Sequence, residues 1–380
     1  MGVDAVEMFQ RAVLASGPLQ ERLGAIEMPD AFEAETAAAA AEIGIVLPAL
    51  ALVGRRATAL DRWPDLGWLP ARSLPDGAAL AFEWAWFGAG RLTDPFYGDS
   101  VRRMGVRPFS RAFRPRTSLD VLIAGAAGEE ALAPQGFVFH MSRCGSTLAA
   151  QMLAAVPHHI VVSEAAPIDA IVQWASESSA PLEDRLAALR AIVAALGRDR
   201  SGAARRYFVK LDSWHVLALP LFRAAFPDVP WIFLYRDPAE VMVSQMRMPG
   251  LHLASPRVAV EPNRAFSLEA HGSQVLARFL TAAGESLALG GGMLVNYAGL
   301  AQAMQADVPR HFGFLPDAEE SAAMAGAQAR DAKAPGEPFV ADAAAKRAAV
   351  TPAIAAAVEA FLRKPYARLE DLRDQARHAQ

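Results

Sequence analysis

From Gly136 onward the chain alternates short apolar runs with amphipathic stretches, and this alternation restricts the fold more than any other feature. Phe137-Val138-Phe139-His140, His159–Val162, Tyr207-Phe208-Val209, Trp231–Tyr235 and Met293-Leu294-Val295 have the length and apolar character of buried strands. Between them, Leu148–Ala155, Leu182–Leu196, Trp214–Ala225 and Ala239–Met246 read as helices. Leu186, Leu189, Val193 and Leu196 share one face of the second of these. Short apolar strands separated by helices predict an α/β fold of three layers, a central parallel sheet flanked by helices on both faces.

Upstream of that series the pattern differs. Residues 1–50 read as a small helical appendage, with Phe9, Val13, Leu19, Leu23, Ile26 and Phe32 at helical spacing and Pro29 placed to start a new helix. Residues 51–134 are rich in Trp, Pro, Arg and Gly and read as an irregular accessory segment with short helices. Its arginines, from Arg102 to Arg116, read as a solvated face. Ala124–Gln135 reads as the linker into a main domain spanning 135–380.

Composition removes several classes of function. The net charge of −4 gives no basic face for nucleic acid. The most lipid-like stretch, Ile43–Val53, contains Pro48 and falls short of the about 20 residues a bilayer requires, so it reads as a buried helix end or strand. Asp4 and Glu7 stand where a secretory signal would be basic. Cys144 is the only cysteine, which excludes an internal disulfide and a cysteine-built zinc site. The histidines show no paired ligand spacing, so no metal is expected. A cytoplasmic protein with no membrane partner is the expectation.

The first strand runs into His140-Met141-Ser142-Arg143-Cys144-Gly145-Ser146-Thr147 and then a helix. A helix N-terminus at the carboxyl end of a parallel strand offers free amides to an anion. Gly145 permits a tight turn, Ser146 and Thr147 supply hydroxyls that can cap the helix, and Arg143 supplies a permanent charge. The Gly-x-x-x-x-Gly-Lys-Ser/Thr pattern of nucleoside triphosphatases is absent. A tyrosine-phosphatase loop would need an arginine where Ala150 stands.

A second strand, Ile232–Tyr235, runs directly into Arg236-Asp237-Pro238-Ala239-Glu240-Val241-Met242-Val243-Ser244. With both motifs in order, the chain resembles the P-loop sulfotransferases, which use 3′-phosphoadenosine 5′-phosphosulfate (PAPS). The resemblance runs from about Gly136 to Leu372. It implies a P-loop fold and a 5′-phosphosulfate loop at Arg143, Cys144, Gly145, Ser146 and Thr147. It also implies a 3′-phosphate pair at Arg236 and Ser244. Leu294–Leu300, here without the usual acid, and Phe312-Gly313-Phe314 resemble later family segments. Asp331–Lys333 and Phe339–Lys346 resemble the segment that folds over the nucleotide, which adds Lys333, Lys346 and Arg347 as phosphate contacts. The helical appendage resembles the small leader-peptide family linked to nitrogen fixation, through Phe9–Val13, Leu19–Leu23 and Glu42–Ile45. That likeness would point to modification of a bacterial natural product.

Sulfuryl transfer requires in-line attack and neutralisation of charge on the leaving phosphate. The resemblance assigns that charge to Arg143, places Lys210 at the transferring group and makes Glu164 the general base for a hydroxyl acceptor. His140, His158 and His159 compete with Glu164 for that role. The family needs no metal. The expected partners are therefore a nucleotide donor and a hydroxyl acceptor, whether small molecule, carbohydrate or peptide. Two rivals stand beside this reading: a kinase-like phosphotransferase, and a non-catalytic binding protein on the same fold.

Overall fold

The computed structural model describes residues 5–48, 57–128, 131–250, 267–332 and 342–378. They form two units. One comprises Met1–Ala133 with Ala165–Arg205, the other Pro134–Glu164 with Arg206–Gln380.

The first unit begins with three helices, Ala5–Leu14, Gly17–Gly24 and Pro29–Glu42, and Pro29 opens the third as the sequence predicts. The apolar stretch that follows is not buried over its described part: Ile43 is 44% exposed and Val46 87%, in irregular backbone. Residues 49–53 of that stretch lie outside the described residues. The Trp-rich segment carries a sheet that its Pro content hid. Strands β1 (Thr58–Ala59), β2 (Trp68–Asp76), β3 (Ala79–Trp86) and β4 (Pro115–Ser118) lie in the order β1-β4-β3-β2. Strands β2 and β3 form an antiparallel hairpin closed at Gly77, whose φ of 62° suits glycine. A register shift between Pro70 and Arg72 accommodates a proline in the ladder.

Trp63, Trp68, Trp84 and Trp86 are all buried in this unit. Gln20, fully buried on the second helix, accepts from the Trp68 indole at 2.8 Å and so ties the helices to β2. The helix Leu182–Leu196, which reads as part of the main α/β series, packs here instead. Arg198, just after it, lies over the Trp63 ring and donates to the carbonyls of Pro64 at 2.9 Å and Asp65 at 3.1 Å. A buried guanidinium needs such acceptors, and these fix the segment to this unit.

The second unit holds the parallel sheet, with every strand where the sequence predicts it. Its strands are β5 (Pro134–His140), β6 (His159–Ser163), β7 (Arg206–Lys210), β8 (Trp231–Tyr235) and β9 (Gly292–Asn296). All pair in parallel in the order β6-β7-β5-β8-β9, and helices flank them. The first strand of the series therefore sits in the middle. The chain moves out to β6, returns through β7 and then crosses to β8 on the other side. That reversal opens a crevice at the carboxyl ends of β5 and β8, where ligands of open α/β sheets bind. Phe137, Phe139, Phe222 and Trp231 fill the core beneath it.

Candidate active site

Met141–Gly145 leaves β5 and enters the helix Ser146–Ala154 through a strained turn. Ser142 (φ 71°), Arg143 (φ 53°) and Gly145 (φ 86°) are left-handed. Non-glycine residues in this region cost about 1–3 kcal/mol each, and such strain concentrates at functional sites. Gly145 is the N-cap, with no side-chain cap bond, so Ser146 and Thr147 do not cap the helix. Glycine is required there twice over. Its φ is positive, and a Cβ would lie 2.6 Å from the Tyr297 ring and 2.8 Å from Leu300. The first amides of the helix have no intrahelical acceptor and face the crevice end of the sheet.

The loop is braced from β8 and from the helix Pro238–Arg247 behind it. Met141 N–H donates to the Leu234 carbonyl at 3.0 Å, and the Cys144 thiol donates to the same oxygen at 3.1 Å. Cys144 is fully buried, and burial pushes its thiol up to about 12. Its side chain is an anchor, and only its backbone can face a ligand. Two successive residues of the helix then hold two successive residues of the loop. Gln245 donates to Ser142 Oγ at 3.2 Å, and Arg143 Nε donates to Ser244 Oγ at 2.8 Å. The two sequence motifs, a hundred residues apart, thus meet directly.

Arg236, at the end of β8, is buried and lies over the Tyr297 ring at 4.0 Å. Its Nε donates to Glu240 at 2.7 Å and its terminal nitrogen to Asp342 at 3.1 Å. Burial works against its charge, but these two acids raise its pKa further. Glu240 also accepts from Arg347 at 2.7 Å, and Asp342 pairs with Lys346 at 2.7 Å. Lys346 and Arg347 are therefore engaged with acids at this end of the crevice, while Lys333 lies outside the described residues.

Glu164 follows β6 in left-handed conformation (φ 51°), and its N–H donates to the Lys210 carbonyl at 2.8 Å. Its carboxylate pairs with the Lys210 ammonium, which is fully buried. Burial would raise the Glu164 carboxyl, but Lys210 and His140 override it and hold it well below its ordinary value. At neutral pH it is ionised and already shared. His140 donates from Nε2 to the Leu211 carbonyl at 2.9 Å and accepts at Nδ1 from Ser142 N–H at 3.0 Å. Burial lowers its pKa, so the ring is neutral and satisfied at both nitrogens.

His158 and His159 do not reach this crevice. They stand at the start of β6, the opposite end of the strand from Glu164. There, Arg206 donates to Glu320 at 2.5 Å and contacts the His159 ring nitrogen at 3.0 Å. Burial would raise the Glu320 carboxyl, yet Arg206 and His158 hold it at about 2. The fold thus gathers two histidines and an acid that sequence spacing does not pair, and a guanidinium lies among them. Sequence reasoning also missed Tyr297, Glu240 and Gln245 as site residues. The four-residue spacing of Arg236, just before the helix, and Glu240, in its first turn, carried a signal for one of them, whereas nothing local marked Gln245.

Residues 134–315 match the model described as the sulfotransferase family. That segment is a little under half of the chain. No curated protein matches the chain. Among solved structures, it is similar to the sulfotransferase domain of the Synechococcus PCC 7002 olefin synthase, at 16% identity over 62% of this chain and 96% of that one, with a TM-score of 0.37. The sulfotransferase domain from the curacin biosynthetic pathway is 16% identical over 64% and 98%, with a TM-score of 0.40. A sulfotransferase from Alicyclobacillus acidocaldarius is 14% identical over 64% and 96%, with a TM-score of 0.38. The matched segment begins at residue 134, so the leader-peptide likeness of the N-terminal helices gains nothing from it. No helix among the described residues is long and apolar enough to cross a membrane.

Proposed function

We propose that the chain transfers a sulfuryl group from PAPS to a hydroxyl acceptor. The observation that carries this reading is the contact of Arg143 with Ser244, which joins the loop after β5 to the segment after β8. One donor carrying phosphate at both its 5′ and 3′ positions would engage both segments. The loop fits the 5′ end: its helix amides, the hydroxyls of Ser146 and Thr147 and the Arg143 guanidinium are the donors that such an anion requires. Arg236, with Ser244 nearby in sequence, fits the 3′-phosphate, where the guanidinium would exchange a carboxylate partner for the phosphate.

In this reading Arg143 stabilises the charge that develops on the leaving phosphate oxygen, since a guanidinium cannot serve as the acid. Lys210 sits at the end of a neighbouring strand and would meet the transferring group. Glu164 would accept the acceptor's proton. Its ion pair with Lys210 keeps it deprotonated but weakly basic, so its second contribution is to hold Lys210 in place.

The test is calorimetric binding of adenosine 3′,5′-bisphosphate against ATP, followed by transfer from PAPS to a panel of hydroxyl acceptors read by mass shift. Tight binding of the bisphosphate with a gain of one sulfate supports the proposal. Preference for ATP would favour a phosphotransferase and overturn it. Binding without turnover on any acceptor would favour a non-catalytic role.

A further inference from the structure

A cavity of about 950 Å³ lies entirely within the first unit and has no part in the site described above. It is of the size that encloses a small organic ligand. Its walls come from the helix Pro29–Glu42, strands β2 and β3, and the helices Tyr97–Gly105 and Pro108–Ala112. The lining is mostly apolar, with Phe32, Trp84, Val101 and Pro108 among its residues, and Val106 there is 70% exposed. Exposed apolar surface lining a cavity costs stability unless something covers it.

Two features show that the cavity is more than a packing gap. Thr36 and Ser110 line it from different helices, are 4% and 8% exposed, and have buried hydroxyls with no hydrogen-bond partner. A buried hydroxyl is normally paired, and such exceptions call for an explanation. The second feature is charge. Of the four lining arginines, Arg114 is paired with Glu83 and Arg102 with Asp99. Arg72 and Arg111 are exposed and have no ion-pair partner among the described residues. Two further lining acids, Asp30 and Glu33, lie on the helical wall.

We infer that this cavity binds an anionic amphiphile, a molecule with an apolar body and one oxyanion head. The body would lie against Phe32, Trp84 and Val106, the head would take Arg72 and Arg111, and a polar atom along the body would pair with Thr36 or Ser110. The inference stands apart from the donor reading of the second unit, because no residue is shared between the two sites.

The experiment uses the full chain and the fluorescent dye 1-anilinonaphthalene-8-sulfonate, with dodecanoate and dodecyltrimethylammonium as competitors. The expected result is saturable one-to-one dye binding, displaced by dodecanoate and not by the cation. The double variant Arg72→Ala/Arg111→Ala should bind at least tenfold more weakly. Ala37→Trp, which places a large ring at an exposed lining position, should abolish binding with an unchanged circular dichroism spectrum. Absence of saturable binding, equal displacement by the cation, or wild-type affinity in both variants would overturn the inference. Dye release on raising the protein concentration would assign the cavity to a second copy of the chain and overturn it as well.

Discussion

The carboxylate of Asp342 lies 3.1 Å from the guanidinium of Arg236, and its charge also supports that of Arg143. An acid of the chain therefore stands within the field of both arginines assigned to the donor. Asp342 is about half exposed and is also paired with Lys346.

Replacing that carboxylate should help an incoming phosphate. Asp342→Asn is expected to tighten adenosine 3′,5′-bisphosphate binding by about three- to tenfold, up to about 1.4 kcal/mol, a modest gain because solvent screens the exposed acid. Arg236→Ala should weaken binding of the same ligand, while adenosine 5′-phosphate, which lacks the 3′ group, should be little affected. Titration calorimetry of the two variants with both nucleotides checks the pair. Weaker binding in Asp342→Asn would show that this acid serves the nucleotide.

Arg143→Ala should lower turnover by about 10²–10³, the loss typical when one preorganised donor to a developing charge is removed. Its melting temperature should stay near wild type, since only one part-buried hydrogen bond, to Ser244, is lost. Ser244→Ala should lower turnover less, by loosening the Arg143 side chain. Steady-state rates beside thermal melts separate these outcomes from misfolding.

Gly145→Ala should be destabilising by about 1–3 kcal/mol, because alanine resists the left-handed backbone and its methyl would strike Tyr297 and Leu300. Bisphosphate binding should fall with it, since the displaced ring lies under Arg236. Urea denaturation and calorimetry on the same preparation read both effects. Unchanged stability would mean that the loop relaxes around the methyl.

Acid should weaken the Glu164–Lys210 pair. The Glu164 carboxyl is lowered in the folded state from an ordinary value of 4.5. Its contribution is therefore complete above about that pH and is lost as pH falls through the depressed folded value. Stability measured by urea from pH 6 down to pH 3 should fall, and Glu164→Gln should show a shallower decline. Lys210→Met should cost about 1–3 kcal/mol at neutral pH, because it leaves a partly buried carboxylate without its ammonium partner. An identical acid limb in wild type and Glu164→Gln would refute the role given to this pair.

Cys144 should resist alkylation by iodoacetamide at pH 7 in the folded protein, because its thiol is buried and raised to about 12. It should react at once in urea. Cys144→Ala should retain transfer activity, losing only the anchor to Leu234. Abolished transfer in a folded Cys144→Ala variant would restore the cysteine as a participant.

The parallel sheet was legible because each of its strands is a short apolar run, and burial on both faces demands that composition. The loop after β5 was legible as a candidate anion site because strand, glycine, hydroxyls and arginine fall in immediate succession. The hairpin of β2 and β3 was not read, although Asp76-Gly77 marks its turn, because Pro70 and Pro75 interrupt the alternation that reports a strand. The helix Leu182–Leu196 could be read as a helix, but not where it packs. Its partners are set by Arg198 and the carbonyls of Pro64 and Asp65, far away in the chain.

By itself, then, the sequence determined the α/β class, the positions of the strands and the two segments that end at β5 and β8, since local composition and period carry that information. Only the tertiary structure decided that those segments touch at Arg143 and Ser244, that Lys210 pairs with Glu164, and that His158 and His159 lie at the far end of their strand. Those outcomes depend on strand order and on which acid a buried cation reaches. Neither is encoded within any short window of residues.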